Sequence, residues 1–465
     1  MVVCSQTRPY CNHKPGTISW QQCYRFANSM DGLKRPKQFH QFPYSFYPKA
    51  KKSKLEMKDQ YNRRDFMNRL AGLSPILLYG TTGFSQKPKP ISFGKAVVEK
   101  IELYRYDVNL ARHFSFGVWK NRQVAFIRII SSGKSGWGEM NAGINKPGLN
   151  LEDWGQFLRP LLGKSIDDAF NMVSSHLHAK TWNWGKCEFV EMALYDLLGK
   201  LENRPALDLL GLTGNQAVHG LFPILEEDPD KVAKAAQKAR DSNYKSHVKL
   251  KIFGNSKSDG ELIQTAREVL GDQTYIVCDP NEGYKNWDTL TDLAQDLKYL
   301  GSCGMNGCED PAKLTLEQWI DLQKMVDPIT IIPDVILRPA HTALEMAKPG
   351  MGNAYNLHPA TMGNFKSMVQ LASKIKSWGH QLMIGDASLI GPGCSIWQQL
   401  AIGMGASWVE AIEKPIESDR YLPCIASKAT FKDASGKHQM KRQAGFGVEL
   451  DIPTLKEVVS QHHVI

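Results

Sequence analysis

Two stretches early in the chain alternate hydrophobic and polar positions, which is the pattern of half-buried β-strands. They cover residues 96–106 and 123–131, and Ser132-Gly133-Lys134 predicts a turn into a third, antiparallel strand. The spacing of apolar positions then becomes helical. The predicted helices are 151–162, 166–180 and 186–201. Together these elements predict an α+β module over residues 96–215.

From about residue 217 the chain alternates short apolar runs with helical patterns. The apolar runs predict strands at 218–225, 247–252, 275–279, 306–309, 329–334, 354–358, 381–386 and 408–413. The helical patterns lie at 229–242, 257–270, 287–300, 315–326, 340–348, 364–378 and 393–404. Eight strands with seven intervening helices predict a parallel TIM-type barrel, with an open doubly wound sheet as the alternative. No G-x-G-x-x-G follows these strands, which argues against dinucleotide binding.

Charge is distributed unevenly along the 465 residues, whose formal net charge is +10. Residues 1–100 contain 18 Lys and Arg against 5 Asp and Glu, so the rest of the chain is close to neutral. Because the basic excess is confined to this segment, we expect no nucleic-acid partner for the protein as a whole.

The N-terminal hundred residues divide into two parts. Residues 1–56 are rich in Pro, Lys and aromatic residues without periodicity, and we expect a disordered or mis-called extension there. Within residues 57–90, Arg63-Arg64-Asp65-Phe66 precedes a weakly apolar run, which resembles a twin-arginine export signal followed by a linker. This predicts a periplasmic protein with no membrane segment in its mature form. The alternative is a basic linker in a cytoplasmic protein.

The strand at 247–252 carries two lysines on one face. Lys249 and Lys251 are two positions apart, so their side chains point the same way, while Val248 and Leu250 point to the other side. Two adjacent ammonium groups lower each other's pKa, and burial lowers the pKa of each further. This arrangement can produce a lysine that accepts a proton near neutral pH. Two solvated lysines on an edge strand are the alternative.

Three acidic residues follow at the ends of successive apolar runs: Asp279, Glu309 and Asp334. Their spacing fits one strand and one helix per step, so in a barrel they converge at the carboxyl ends of neighbouring strands. Converging carboxylates repel one another unless a cation lies between them. Because all the ligands are oxygen atoms, the predicted cation is Mg²⁺ and not zinc.

These motifs, in this order, resemble the enolase superfamily in its mandelate racemase/muconate lactonizing branch. The resemblance spans residues 96–452 and rests on the motifs Lys249-x-Lys251, Asp279-x-Asn281, Glu309-Asp310-Pro311 and Asp334, together with Gly136-Trp137-Gly138-Glu139 and Gly445-Phe446-Gly447. It implies an α/β fold, a modified TIM barrel (β/α)₇β over 216–425 with an α+β capping domain, to which the segment 426–465 returns.

The resemblance also implies a chemistry. Asp279, Glu309 and Asp334 would hold Mg²⁺, Lys251 would be the general base, and Lys249 would be its electrostatic partner. The reaction removes a proton α to a carboxylate through an enediolate. Removing so weakly acidic a proton requires positive charge concentrated where the negative charge forms.

Several positions depart from the branch or have a second interpretation. His358 stands where racemases of the branch usually have a lysine, and it is a candidate acid or base on the opposite face or a structural histidine. Asn281 is a candidate to orient a ligand or to cap the next helix. Asp386 is a candidate to bind substrate or to cap a loop.

Two classes of function remain open at this stage. The first is an epimerase, racemase or lyase acting on a small-molecule carboxylate, with an acid-sugar dehydratase as one specific form. The second is a non-catalytic binding protein that retains the barrel. Burying unused charges is costly for stability, so the retained lysines and carboxylates favour an enzyme. We also expect a homo-oligomer.

Overall fold

The computed structural model describes residues 96–214 and 216–465. The predictions made for residues 1–56 and for the export signal at 57–90 therefore lie outside the described residues. Within the part that is described, no helix combines the length and the apolar character needed to span a membrane.

The first described elements form an antiparallel sheet. Its strands are Lys100–Val108, Arg122–Ser131 and Lys134–Ile144, and a C-terminal strand, Gln461–Val464, pairs with the first of them. A separate hairpin, Arg112–Phe114 with Gly117–Trp119, connects the first two long strands. The alternating pattern at 96–106 and 123–131 thus forms strands as expected.

Helices cover one face of this sheet. They are Leu151–Gly155, a 3₁₀ segment Gln156–Leu161, Ile166–His178, Trp184–Leu201 and Ala206–Leu209. The longest begins at Asn183, whose side chain accepts a hydrogen bond from the N–H of Lys186. This helix lies so close to the sheet that a Cβ at Gly136 would be 2.0 Å from the carbonyl oxygen of Ala193, which explains the glycine there.

The barrel strands are, in order, Val218–Gly220 continued by Phe222–Ile224, then His247–Lys251, Tyr275–Asp279, Gly307–Glu309, Thr330–Ile332, Ala354–Leu357, Gln381–Ile384 and Trp408–Val409. The strands pair in parallel from the sixth through the eighth to the first and on to the fifth. The ring closes between the fifth and sixth strands, where the N–H of Asn356 donates to the carbonyl of Pro333 at 3.0 Å. The TIM-type barrel is confirmed, and the open sheet is excluded because the ring closes.

Seven helices alternate with these strands: Pro229–Asp241, Ser256–Leu270, Leu290–Ser302, Leu316–Val326, Ala340–Met346, Phe365–Ser377 and Pro392–Met404. Two strands differ from the prediction. The stretch 218–225 is interrupted at Leu221, where the chain changes its partner from the eighth strand to the second. The stretch 408–413 keeps strand structure only at its first two residues, and the following residues turn into the barrel mouth.

The C-terminal segment divides its contacts. Its elements are the strands Ile425–Ser427, Thr430–Lys432, Lys437–Met440 and Glu449–Leu450, the helix Ile452–Val458 and the strand Gln461–Val464. Lys437–Met440 pairs with the first barrel strand, whereas Gln461–Val464 pairs with the capping sheet. A single return of the whole of 426–465 to the capping domain is therefore too simple a description.

Buried carboxylates attach the capping elements to two loops of the barrel. Glu139 of the capping sheet accepts hydrogen bonds from the backbone N–H groups of Ile390, Gly391 and Gly393. Glu188 and Glu191 of the long helix accept from those of Ala360, Gly363 and Phe365. These contacts fix the loops that follow the sixth and seventh strands, at the mouth where the candidate site lies.

Candidate active site

Lys249 and Lys251 point into the barrel from its second strand, and Val248 and Leu250 pack outward in the core formed with the helices. Nζ of Lys249 lies 3.0 Å from Oδ2 of Asp279. The edge-strand alternative is wrong, because this strand pairs on both sides and both lysine side chains are buried.

The environment of Lys249 is strongly anionic. Its Nζ is also 2.9 Å from Oε2 of Glu309 and 2.9 Å from Oε2 of Glu410. Burial alone would lower the pKa of Lys249, but Asp279, Glu309 and Glu410 outweigh it and raise that pKa well above its ordinary value. The expectation that the neighbouring lysine lowers the pKa of Lys249 is therefore wrong, since three carboxylates dominate.

Lys251 lies one step nearer the mouth. Its Nζ donates to Oδ2 of Asp279 at 2.9 Å, so this one oxygen accepts from both lysines. Burial would raise the pKa of Asp279, but the two ammonium groups lower it overall. The carboxylate stays ionised and holds the two lysines together.

The three predicted metal ligands gather at the carboxyl ends of neighbouring strands, and each has a partner. Oε1 of Glu309 accepts from the side-chain amide of Asn356 at 2.9 Å. Asp334 accepts from Nε of Arg338 at 2.9 Å and also from its Nη2. Burial raises the pKa of Glu309 well above its usual value, despite the opposing effect of Lys249.

Among residues 96–214 and 216–465, no three His, Cys, Asp or Glu side chains are arranged so that they could hold a metal ion directly. The reason is visible in the contacts above. Lys249 lies against Asp279 and Glu309, and Arg338 engages Asp334. A cation that binds all three carboxylates must displace these contacts.

The donor chemistry nevertheless fits a hard divalent cation. Carboxyl groups outnumber the cationic side chains here, five to three: Asp279, Glu309, Asp310, Asp334 and Glu410 against Lys249, Lys251 and Arg338. The side-chain oxygens Oδ1 of Asn281 and Oδ1 of Asn356 are buried without a hydrogen-bond partner in the described part of the chain. Unpartnered oxygen acceptors beside surplus carboxylates suit Mg²⁺.

His358 follows the sixth strand, across the barrel from the second. Its Nδ1 lies 2.8 Å from the carbonyl oxygen of Pro359, and since a carbonyl only accepts, Nδ1 carries the proton. Burial lowers the pKa of His358 to about 4, and the positive charge of Arg338 acts in the same direction. The imidazole is therefore neutral at pH 7, with Nε2 as an acceptor.

A glycine makes room for this histidine. A Cβ on Gly385 of the seventh strand end would lie 2.8 Å from the side-chain amide of Asn356 and 2.9 Å from Cδ2 of His358. The side chains of the sixth strand can therefore reach the barrel interior only because residue 385 has none.

The structure places Asn281 beside Asp279. Its backbone N–H donates to Oδ1 of Asp279 at 2.9 Å, and its φ of +46° is left-handed. The next helix is capped by Thr289 instead, so the helix-cap interpretation of Asn281 is wrong.

Asp386 is paired with a residue that sequence reasoning missed. Its Oδ2 lies 2.9 Å from Nζ of Lys414, and its Oδ1 accepts from the N–H of Leu389 at 3.0 Å. The hydrogen bond from Leu389 fixes the loop that follows the seventh strand. A role for Asp386 in substrate binding stays a prediction.

Four other residues at the mouth were also missed: Phe114, Arg338, Asn356 and Glu410. Glu410 directly follows the eighth strand, two positions after Trp408, so extending the strand alternation by one residue could have found it. The capping hairpin places the ring centroid of Phe114 5.0 Å from Nζ of Lys251. Ser115 on the same hairpin donates to the carbonyl of Asn281 at 3.2 Å, which ties the hairpin to the mouth.

A separate cavity of about 460 Å³ opens at the amino-terminal end of the barrel. Its lining includes His219, His247, Tyr275 and Trp408, and it contains none of the predicted site residues. The candidate site therefore rests on converging side chains at the opposite end of the strands, as TIM barrels generally place their chemistry.

Comparison with known proteins defines the class. Residues 231–454 match the family described as enolase C-terminal domain-like. The D-Ala-D/L-Ala epimerase of Cytophaga hutchinsonii is 27% identical over 231 residues, which cover 47% of this chain and 60% of that epimerase. The chain belongs to the enolase superfamily. Within it, the chain falls in the mandelate racemase/muconate lactonizing branch, so the predicted membership is confirmed.

Solved structures agree on the fold. The dipeptide epimerase from Cytophaga hutchinsonii, complexed with Mg and the dipeptide D-Ala-L-Val, has a TM-score of 0.64 at 18% identity and covers 79% of this chain and 100% of its own. The L-talarate/galactarate dehydratase from Salmonella typhimurium, liganded with Mg and L-lyxarohydroxamate, has a TM-score of 0.65 at 15% identity and covers 83% and 98%. These similarities establish the fold, a barrel with a capping domain. They do not indicate the reaction, because one of the two proteins is an epimerase and the other a dehydratase.

Proposed function

We propose that the protein is a Mg²⁺-dependent racemase or epimerase that removes and returns the proton α to the carboxylate of a small molecule. The observation that carries the proposal is the convergence of two buried lysines and three carboxylates at one barrel mouth, with His358 on the opposite strand. Asp279, Glu309 and Asp334 would hold Mg²⁺, which would supply positive charge beside the substrate carboxylate.

Lys251 and His358 support proton transfer on two faces. The second and sixth strands of an eight-stranded barrel are opposite each other, so a substrate between them meets one group on each side. Lys251 is a hydrogen-bond donor to Asp279, while neutral His358 offers Nε2 as an acceptor. One group can release a proton while the other receives one, which is the requirement for inversion at a carbon centre.

Lys249 has a different role in this proposal. Its contact with Glu410, a carboxylate outside the three assigned to the metal, would keep its ammonium group charged and in place when Mg²⁺ is bound. Such a charge stabilises negative charge that develops nearby on the substrate, and its fixed position means that no reorganisation is needed. It is an electrostatic partner and not a base.

The contacts of His358 also support inversion. Because its Nδ1–H points to the carbonyl of Pro359, Nε2 is the ring atom that can take a proton from the substrate and return one. The substrates that we propose are N-acylamino acids and dipeptides, in line with the dipeptide held by one structural relative.

The test is a survey of α-proton exchange. The purified protein with Mg²⁺ is incubated in D₂O with N-succinylamino acids, dipeptides and acid sugars, and deuterium incorporation and configuration are followed by NMR and polarimetry. We expect exchange with inversion for an amino-acid derivative. Formation of a 2-keto acid would indicate a lyase instead. Binding of a carboxylate without any exchange would indicate a binding protein.

A further inference from the structure

We propose that Arg338 is a displaceable internal cation that competes for Asp334 and thereby weakens divalent-cation binding at the site. This inference rests on the proposed function, because Asp334 is one of the three carboxylates assigned to the metal. Asp334 lies just past the fifth strand, and a single 3₁₀ turn, Val335–Leu337, brings Arg338 back over it. The guanidinium engages both carboxylate oxygens, Oδ1 through Nε at 2.9 Å and Oδ2 through Nη2.

The contact between Arg338 and Asp334 can compete with a bound cation. A bidentate guanidinium–carboxylate pair is among the stronger charge-assisted contacts in proteins. It uses the same carboxylate oxygens that a cation would need, and it brings a positive charge next to them. A divalent cation at Asp334 must therefore break hydrogen bonds and also approach a like charge.

Arg338 is the most exposed of the three cations at the site. Its side chain is 20% exposed, whereas that of Asp334 is 2% exposed. The side chains of Lys249 and Lys251, which lie against the other carboxylates, are 7% and 5% exposed. Arg338 can therefore leave its carboxylate for solvent with the least rearrangement of the three.

Asp334 does not need Arg338 to stay in place. The carboxylate of Asp310 accepts from the N–H of Asp334 at 2.9 Å and from the N–H of Val335 at 3.0 Å. These bonds fix the backbone that carries Asp334. Replacing Arg338 should therefore leave the main chain at Asp334 in place and free only the oxygens of the carboxylate.

The experiment measures metal binding and does not depend on turnover. Mn²⁺ binding to the full chain is followed by electron paramagnetic resonance, and Mg²⁺ binding by calorimetry, for the wild type, Arg338→Gln, Arg338→Ala and Arg338→Lys. We expect Arg338→Gln and Arg338→Ala to bind at least tenfold more tightly than the wild type. Arg338→Lys keeps the positive charge but cannot bind both carboxylate oxygens. Its metal affinity should therefore lie between that of the wild type and those of the two neutral variants.

A matched control is Arg442→Ala, because Arg442 pairs with Asp208 away from the barrel mouth. Its affinity should stay within twofold of the wild type. A double variant localises the effect: in an Asp334→Asn background, Arg338→Gln should bring no gain, because the carboxylate for which it competes is gone. Circular dichroism establishes that each variant is folded.

The outcomes separate the two proposals. Unchanged or weaker binding in folded Arg338→Gln and Arg338→Ala, with a wild type that binds, overturns the competition and leaves the metal enzyme standing. Absence of binding in the wild type and in every variant overturns the metal site and the inference together.

Discussion

The ring of Phe114 lies 5.0 Å from Nζ of Lys251, although the two residues belong to different parts of the fold. Phe114 is on the capping hairpin, where its ring centroid is 4.7 Å from that of Trp119 and 5.0 Å from that of Phe116. The aromatic group thus forms a wall of the candidate site beside the proposed base. The contact links the residue that would carry the proton to the element that would contact the substrate.

Replacing Phe114 with alanine should slow proton exchange without unfolding the protein. A cation–π contact contributes about 0.5–2 kcal/mol, so kcat/KM for exchange should fall by about 2- to 30-fold. Val118→Ala is the matched control, because Val118 is on the same hairpin, is 41% exposed and lies outside the aromatic group. Equal losses in the two variants would mean that the hairpin matters only as a whole.

Lys251→Ala and His358→Ala should have different effects on the two enantiomers of a substrate. Without Lys251, exchange of the proton on its face should be lost. Without His358, the protein should still exchange one enantiomer, because Lys251 still faces it, but should no longer invert it. NMR in D₂O on each pure enantiomer measures both rates, and Lys231→Ala, at an exposed helix position, is the control.

Two results would contradict this assignment. Equal loss of exchange for both enantiomers in His358→Ala would argue against separate faces. Full activity in Lys251→Ala would eliminate Lys251 as the base.

Asp334→Asn should weaken stabilisation by Mg²⁺. A ligand at one hundred times its Kd stabilises the folded state by about 2.7 kcal/mol, which is several degrees of Tm for a domain of this size. The wild type should show this shift on addition of Mg²⁺, and Asp334→Asn should show much less of it at the same Mg²⁺ concentration. Asp288→Asn, an exposed position before a helix, should shift like the wild type. A full Mg²⁺ shift in Asp334→Asn would remove Asp334 from the metal site.

Strand alternation explains why much of the site could be predicted. In a barrel every second residue points inward, so Lys249 and Lys251 share one face, and Asp279, Glu309 and Asp334 end successive strands. These are local features of the sequence. The same rule could have indicated Glu410, which lies two positions after Trp408 and just past the eighth strand.

The pairing of the site residues could not be predicted, because it depends on ring closure. Glu410 meets Lys249 across 161 positions of the chain, and Lys414 meets Asp386 through two separate loops. The pKa of Lys249 follows from such contacts, and local reasoning from its neighbour Lys251 gave the opposite direction. Arg338 follows Asp334 by only four positions, yet no motif indicates that the chain turns back there.

Export stays a prediction from Arg63 and Arg64. Twin-arginine signals depend on the paired guanidinium groups, so replacing both residues with lysine should keep the protein in the cytoplasm of a bacterial host. Fractionation of cells that express the wild type and the double variant measures this. A matched control replaces Arg8 and Arg25 with lysine, which preserves the candidate signal. Unchanged export in the double variant would identify the segment as a basic linker.

The stability of the folded protein should fall as pH rises, because burial raises the pKa of Glu188. This residue belongs to the helix Trp184–Leu201 and holds the loop after His358. Burial raises the pKa of Glu188 to about 8, and the backbone N–H groups of Ala360 and Gly363 oppose this only in part. The pKa in the unfolded chain is near 4.5, so the folded state binds the extra proton between these two values. Stability from this group is therefore complete below pH 4.5 and is lost progressively up to about pH 8.

Glu188→Gln removes the titrating group but keeps its size. The dependence of the unfolding free energy on pH should become less steep, by about 1 kcal/mol per pH unit between pH 5 and 7.5, since one proton per unit corresponds to about 1.4 kcal/mol. Glu191, whose pKa is also raised to about 8 by burial, keeps some slope in the variant. Urea unfolding at several pH values measures the effect, with exposed Glu152→Gln as the control. If Glu188→Gln and the wild type have the same slope, Glu188 is ionised throughout, and its hydrogen bonds to Ala360 and Gly363 outweigh its burial.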